Sequence, residues 1–246
     1  MSENVGKIVG ISGNLITVRF EKPVTQSEVG YARVGDMGLK SEIIRIRGEN
    51  AEMQVFEDTT GLKVGDSVEF SGNLLTVELG PGLLAQVYDG LQNPLPKLAE
   101  QCGFFLQRGT YLKALDRAKT WAYTPKVRKG DEVTAGDTLG SVPEGIFEHC
   151  VMVPFRLVGK YKVEETVAAG TYNVDKVVAK LSNERGDVIS VTMVQEWPVK
   201  VPIKAYAERL RPTDPLVTKV RIVDTFFPVA RGGVYCSPGP FGAGKT

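Results

Sequence analysis

Histidine is nearly missing from this chain. His149 is the only one among 246 residues, and it stands beside one of just three cysteines, Cys102, Cys150 and Cys236. No Cys-x-x-Cys pair exists, so neither a redox dithiol nor a Cys-based zinc site is encoded. Neighbouring residues on a strand point to opposite faces, which disfavours a metal site shared by His149 and Cys150. The cysteines read as packed thiols of a reducing compartment. No run approaches the roughly 20 consecutive apolar residues of a membrane-spanning helix. The opening Met1-Ser2-Glu3-Asn4 lacks the basic start and apolar core of a signal peptide. Charge of one sign is also lacking: Lys and Arg total 30, Asp and Glu 29, for a net charge of +1. That balance, without a long basic run, argues against a nucleic-acid partner.

What the chain does have is glycine-punctuated β pattern. Val5 to Ile11 and Leu15 to Phe20 flank Ser12-Gly13-Asn14, a hairpin signal. Ser41 to Arg47 and Ala51 to Phe56 flank Gly48-Glu49-Asn50 in the same way. In the third of these runs Ile43 and Arg45 alternate with Ile44 and Ile46, giving one mostly apolar face and one mixed face. Gly61 to Asp66 turns the chain into Val68-Glu69-Phe70. Short strands at near-regular spacing predict a small closed β-barrel over residues 1–75. Residues 76–110 read as a junction and the first part of the next domain. Leu79-Gly80-Pro81-Gly82-Leu83-Leu84 is a breaker there, and Leu95, Leu98 and Ala99 give a short helical pattern stopping at Gly103.

Residues 111–190 have another texture. Lys129-Gly130-Asp131-Glu132-Val133 and Ala135-Gly136-Asp137-Thr138-Leu139 are paired turn-strand units, and Asn183 to Asp187 is an exposed turn. A second β-rich module is predicted, with Glu144, Glu148, Glu164 and Glu165 on its solvated surface. From residue 191 to 246 the pattern changes again. Pro198, Pro202, Pro212 and Pro215 stiffen the chain. Ile222, Val223, Phe226 and Phe227 fall at helical spacing, and Val234 to Ser237 reads as a short strand in which Cys236 packs. That strand feeds Gly239-Pro240-Phe241-Gly242-Ala243-Gly244-Lys245-Thr246, which fits G-x-x-x-x-G-K-[ST]. In such a loop Gly239, Gly242 and Gly244 allow close backbone approach, and N–H groups around Ala243 and Gly244 cradle phosphate oxygens. Lys245 reaches the β/γ-phosphates as the catalytic charge, and the Thr246 hydroxyl sits on Mg²⁺. The bland alternative is a Gly-rich tail. The reading is that the chain is the front part of a larger nucleoside-triphosphatase.

These residues resemble a known family. GPFGAGKT (Gly239 to Thr246), PLVTKVRIVDTFFPVARGG (Pro215 to Gly233), LGPGLLAQVYDGLQNPL (Leu79 to Leu95), FFLQRG (Phe104 to Gly109) and QEWPVKVP (Gln195 to Pro202) together look like the catalytic A subunit of rotary V-type and archaeal A-type ATPases. The resemblance implies a mainly β chain: a β-barrel, an inserted β-rich bulge domain, and the start of a RecA-like α/β nucleotide-binding domain. It implies ATP or ADP with Mg²⁺ as cofactors, held by residues 239–246, and an ion-translocating ATPase activity in the parent protein. It implies an alternating hexamer with the B subunit, a central rotor shaft, a peripheral stalk, only indirect contact with the membrane sector, and a peripheral place on the cytoplasmic face. The chain departs from the family's usual TGQR or TGIR at Thr218-Lys219-Val220-Arg221. It also carries Ala243 where eukaryotic relatives have Cys.

Two alternatives stay beside this one. By itself the chain would serve as a non-enzymatic assembly module, or it would be part of another hexameric RecA-like ATPase. The turn-strand units at 129–139 also resemble biotinyl and lipoyl carrier domains. No modifiable lysine stands at a hairpin tip, so shared β-sandwich geometry is the reading taken.

Overall fold

A computed structural model describes residues 4–103, 105–206, 208 and 210–244. The chain forms two compact units, Met1–Ala205 and Tyr206–Thr246. In the first unit, β1 (Asn4–Ser12), β2 (Leu15–Arg19), β3 (Glu28–Val34), β4 (Met37–Arg47), β5 (Asn50–Val55) and β6 (Ser67–Leu74) close an antiparallel barrel in the order β1-β2-β5-β4-β3-β6. Closure leaves no unpaired edge strand. The hairpins turn on Gly13, Gly35 and Gly48, each with φ between 57° and 59°. Two-residue loops need that left-handed conformation to match the strands' twist. Ile8, Ile16, Val18, Leu39, Ile43, Met53, Val55 and Val68 fill the interior at 0–1 % exposure. Gly30 lets β3 lie against this core, because a Cβ there would stand 2.8 Å from Met53 Cε.

The predicted barrel is present, with two local differences. The hairpin around Gly35 was not read from the sequence, because β3 begins with a buried glutamate, Glu28, and lacks clean alternation. The expected pairing of Ile44 with Ile46 on one face also fails. The β4–β5 register shifts between Ile43 and Arg45, so Ile43 and Ile46 both meet the core while Ile44 is exposed. A bulge resets the alternation by one residue.

After β7 (Thr76–Leu79) comes a non-regular segment and α1 (Leu95–Cys102), which has proline at its start and Gly103 at its end. The insert then follows. Its strands are β8 (Thr120–Pro125), β9 (Glu132–Val133), β10 (Thr138–Glu144), β11 (Phe147–Met152), β12 (Tyr161–Thr166), β13 (Gly170–Asn173), β14 (Ala179–Ser182) and β15 (Val188–Val191). They form two four-stranded sheets, β11-β10-β8-β13 and β15-β14-β12-β9. One core gathers Val133, Leu139, Val153, Val163 and Leu181, the other Trp121, Tyr123, Val142, Val151 and Val178. β16 (Gln195–Pro198) then returns to pair with β7, Leu79 opposite Gln195.

One turn design recurs three times in this unit. Asp66, Asp131 and Asp137 each follow a glycine with φ of 99°, 99° and 87°. Each aspartate N–H closes the turn onto the carbonyl three residues back, at 3.0–3.1 Å. Each carboxylate accepts the N–H of that same residue (Lys63, Arg128 and Thr134) at 2.6–2.7 Å. The glycine supplies the positive φ of a type II turn, and the aspartate ties off the free donor.

Candidate functional site

The second unit carries the Gly-rich tract. β17 (Pro215–Leu216) pairs with β18 (Val229–Ala230), and α2 (Arg221–Phe226) lies between them in sequence. The helix begins without a side-chain cap. Ahead of it, Asp224 gathers the turn: its carboxylate accepts Thr218 Oγ1 at 2.6 Å, Thr218 N–H at 3.0 Å and Lys219 N–H at 2.9 Å. Those hydrogen bonds, the Thr218 hydroxyl first, hold the Asp224 carboxyl below the usual carboxylate range. This places the divergent Thr218-Lys219-Val220-Arg221 stretch in an aspartate-bound turn running into α2. The helix predicted from Ile222, Val223 and Phe226 is present and ends before Phe227.

Residues 239–244 are exposed and irregular. Gly242 and Gly244 have φ of 77° and 69°, and Ala243 N–H donates to Pro240 O at 3.3 Å. Both glycines thus stand in the left-handed region. Lys245 and Thr246, the predicted catalytic charge and magnesium-side hydroxyl, lie outside the described residues. Residues 239–244 form no helix or strand, and the local context expected ahead of them is corrected. The strand expected over 234–237 is absent, Val234 is 98 % exposed, and Cys236 is exposed rather than packed. A strand needs neighbours to accept its ladder and bury its side chains, and no described strand pairs with this segment. The RecA-like start is likewise not seen as a sheet with helices.

The carboxylates of the insert depart from the surface reading in one case. Glu148 pairs with Lys126 at 2.8 Å, Glu165 pairs with Lys180 at 2.7 Å, and Glu164 accepts the Ser182 hydroxyl at 2.7 Å. Glu144 is buried, at 6 % exposure. One oxygen accepts the N–H groups of Gly82 at 2.7 Å and Leu84 at 3.2 Å, and the other lies 2.8 Å from His149 Nδ1. The lone histidine is therefore committed to a carboxylate on its own hairpin. No local sequence signal marked this, because Gly82 lies 62 residues away along the chain.

The segment between barrel and insert is held by further polar groups. Asp89 accepts N–H groups of Leu91 and Asn93 at 2.9 and 2.7 Å, and Asn93 Oδ1 accepts Leu112 N–H at 2.8 Å. Glu78 takes the Arg117 guanidinium, which also reaches Asp175 at 3.4 Å. Among the described residues no helix is long and apolar enough to cross a membrane.

Comparison with known proteins matches this architecture. Residues 8–72 match the ATP synthase alpha/beta family β-barrel domain, and residues 112–200 match the ATP synthase alpha/beta subunit barrel-sandwich domain. The barrel-sandwich match agrees with the β-sandwich reading of the 129–139 turn-strand units. The tract at 239–246 lies beyond both matches. The V-type ATP synthase alpha chain of Treponema denticola is 61 % identical over 246 residues, covering 100 % of this chain. The V-type ATP synthase alpha chain 1 of Treponema pallidum is 56 % identical over the same span, and that of Borrelia turicatae is 55 % identical over 241 residues, 98 % of this chain. In each case the chain spans 42 % of the relative's length. A closed barrel, a two-sheet insert and identity running from end to end agree: the chain belongs to the ATP synthase alpha/beta family.

Proposed function

We propose that the chain is the N-terminal portion of the catalytic, nucleotide-binding subunit of a rotary V/A-type ATPase, which couples ATP hydrolysis or synthesis to H⁺ or Na⁺ transport. The observation that carries this reading is 61 % identity to a V-type ATP synthase alpha chain over the whole of this chain. The domain division 1–75, 76–110, 111–190 and 191–246 belongs to the same reading. In the whole subunit, the backbone of Gly239 to Gly244 would cradle the phosphates, Lys245 would neutralise γ-phosphate charge and Thr246 would hold Mg²⁺. The chemistry is phosphoryl transfer by positioning and charge neutralisation. Partners in this reading are a B subunit in an alternating hexamer, a central shaft and a peripheral stalk. The subunit would sit peripherally on the cytoplasmic face.

Calorimetric titration with Mg-ATP tests the assignment in two proteins. The 246-residue chain binds weakly and does not hydrolyse, because nothing described here encloses the Gly-rich tract. A polypeptide extended to the relatives' length, assembled with its B subunit, binds and turns over, and Lys245→Ala abolishes turnover. Full turnover by the extended K245A protein would overturn the site assignment. The assembly-module reading draws on the insert, whose Ile146 and Val158 are 93 % and 89 % exposed. It predicts that replacing both with Ser impairs hexamer or stalk assembly while leaving the melting temperature of the chain unchanged.

A further inference from the structure

The excursion that carries the insert leaves and rejoins its unit at the β7–β16 pair. The chain departs at Leu79 and returns at Gln195, and these residues are register partners in the β7–β16 pair. The junction is tightly built: a Cβ on Gly80 would stand 2.8 Å from the Met193 carbonyl oxygen. Beyond that point the chain is conformationally demanding. Gly82 has φ of 111°, and Ala85, which has a side chain, sits at φ of 58°. Left-handed backbone at a non-glycine residue persists only where its surroundings hold it.

We propose that Glu144 is a latch that locks the insert against the 80–84 segment, with His149 as the residue that positions the latch. Glu144 ends β10, a central strand of one insert sheet, and reaches out of the insert to the backbone next to that junction. Its carboxylate accepts two N–H groups, of Gly82 and Leu84, at 2.7 and 3.2 Å, and has a third polar partner in His149 Nδ1 at 2.8 Å. Both oxygens of this nearly buried carboxylate thus have partners, and charge-assisted bonds of this kind are the strong ones. His149 stands on β11, opposite Val142 in the β10–β11 register, so the imidazole fixes the carboxylate from the same hairpin. The Arg117 bridge between Glu78 and Asp175 is a separate attachment and does not involve the latch. Release of Glu144 therefore frees the 80–84 backbone and loosens the insert's orientation without dismantling either sheet.

The test is amide hydrogen exchange and residual dipolar coupling on the isotope-labelled chain and its Glu144→Gln and His149→Phe variants. In Glu144→Gln, exchange at the Gly82 and Leu84 amides rises about tenfold or more, the ratio a charge-assisted hydrogen bond supplies. Amides of the barrel and of both insert sheets keep their wild-type exchange. Barrel and insert share one alignment tensor in the wild type, and the insert's tensor shrinks in the variant. His149→Phe gives a smaller rise confined to the same two amides, and no rise there sinks the positioning role. Unchanged exchange at Gly82 and Leu84 in Glu144→Gln overturns the latch. So does an equal rise throughout the barrel and insert, which marks general destabilisation, or an unchanged insert tensor.

Discussion

Lys40 touches Tyr111 twice: its backbone N–H donates to the Tyr111 hydroxyl at 2.7 Å, and its ammonium lies 4.8 Å from the centre of the same ring. The hydroxyl in turn donates to Glu57 Oε2 at 2.9 Å. A barrel strand and the segment leading to the insert are joined by one phenol. Burial raises the Tyr111 pKa well above that of an ordinary phenol, and Glu57 adds to the rise against the opposing Lys40 N–H. A raised folded-state pKa contributes stability that is complete below the unfolded value of about 10 and is lost as pH climbs through the folded value. Tyr111→Phe should lower stability by about 1–3 kcal/mol at neutral pH by orphaning these partners. Urea unfolding at pH 7 and above pH 10 checks both halves. The gap between wild type and variant should narrow at the alkaline end.

Acid should act on the barrel wall through Glu69. Arg33 Nε donates to Glu69 Oε1 at 2.9 Å, and a second guanidinium nitrogen pairs with Oε2. The Arg33 hydrogen bonds hold the Glu69 carboxyl below its usual range. A depressed folded pKa contributes stability present above the unfolded value of about 4.3 and lost as pH falls through the folded one. Both side chains are about a third exposed, so the effect stays under about 1 kcal/mol. Melting temperatures from pH 7 down to 3 should fall less steeply for Glu69→Gln than for wild type.

Gly140 is the most crowded of the insert's glycines. A Cβ there would collide with the Tyr123 ring, which is 1 % exposed and donates its hydroxyl to Leu139 O at 3.2 Å. Gly140→Ala should destabilise the insert by about 1–3 kcal/mol, the usual range for overpacking a filled core. Differential scanning calorimetry should show the loss, and Tyr123→Phe in the same background should not restore it, because the ring carbons clash as well.

The Gly-Asp turns allow a parallel comparison. Asp66→Ala and Asp131→Ala each remove one side-chain bond to an exposed turn and should cost about 1 kcal/mol, whereas Asp137→Ala also removes the bond from the Thr134 hydroxyl at 3.0 Å and should cost more. Gly130→Ala, at φ of 99°, should cost about 1–3 kcal/mol through backbone strain alone. Near-equal losses at Asp66 and Asp131, with a larger one at Asp137, in urea titrations would confirm this shared design and the extra hydroxyl bond.

Legibility in the sequence followed the range of the interactions. Gly13 and Gly48 announced their hairpins because a two-residue loop is a local event, and Leu98 and Gly103 announced α1 for the same reason. β3 went unread because it opens on a charged residue, Glu28, that is buried. Its two carboxylate oxygens accept Thr25 N–H at 2.8 Å and Gly72 N–H at 2.8 Å, the second from a residue 44 positions away. The 129–139 units were visible as turns, but the pairing of β8 with β13 joins Thr120 to Asn173 and leaves no local trace. The Gly-rich tract showed its pattern, whereas the strand expected before it has no described partner to form with.

The β7–β16 register also bears on how such a chain can be built and rebuilt. Everything from Gly80 to Val194 begins and ends on adjacent, hydrogen-bonded strands. A short linker between Leu79 and Gln195 would reconnect the polypeptide without stretching it. The whole excursion is thus a cassette, removable or replaceable by a gene-level splice while the barrel beneath keeps its own six-stranded closure.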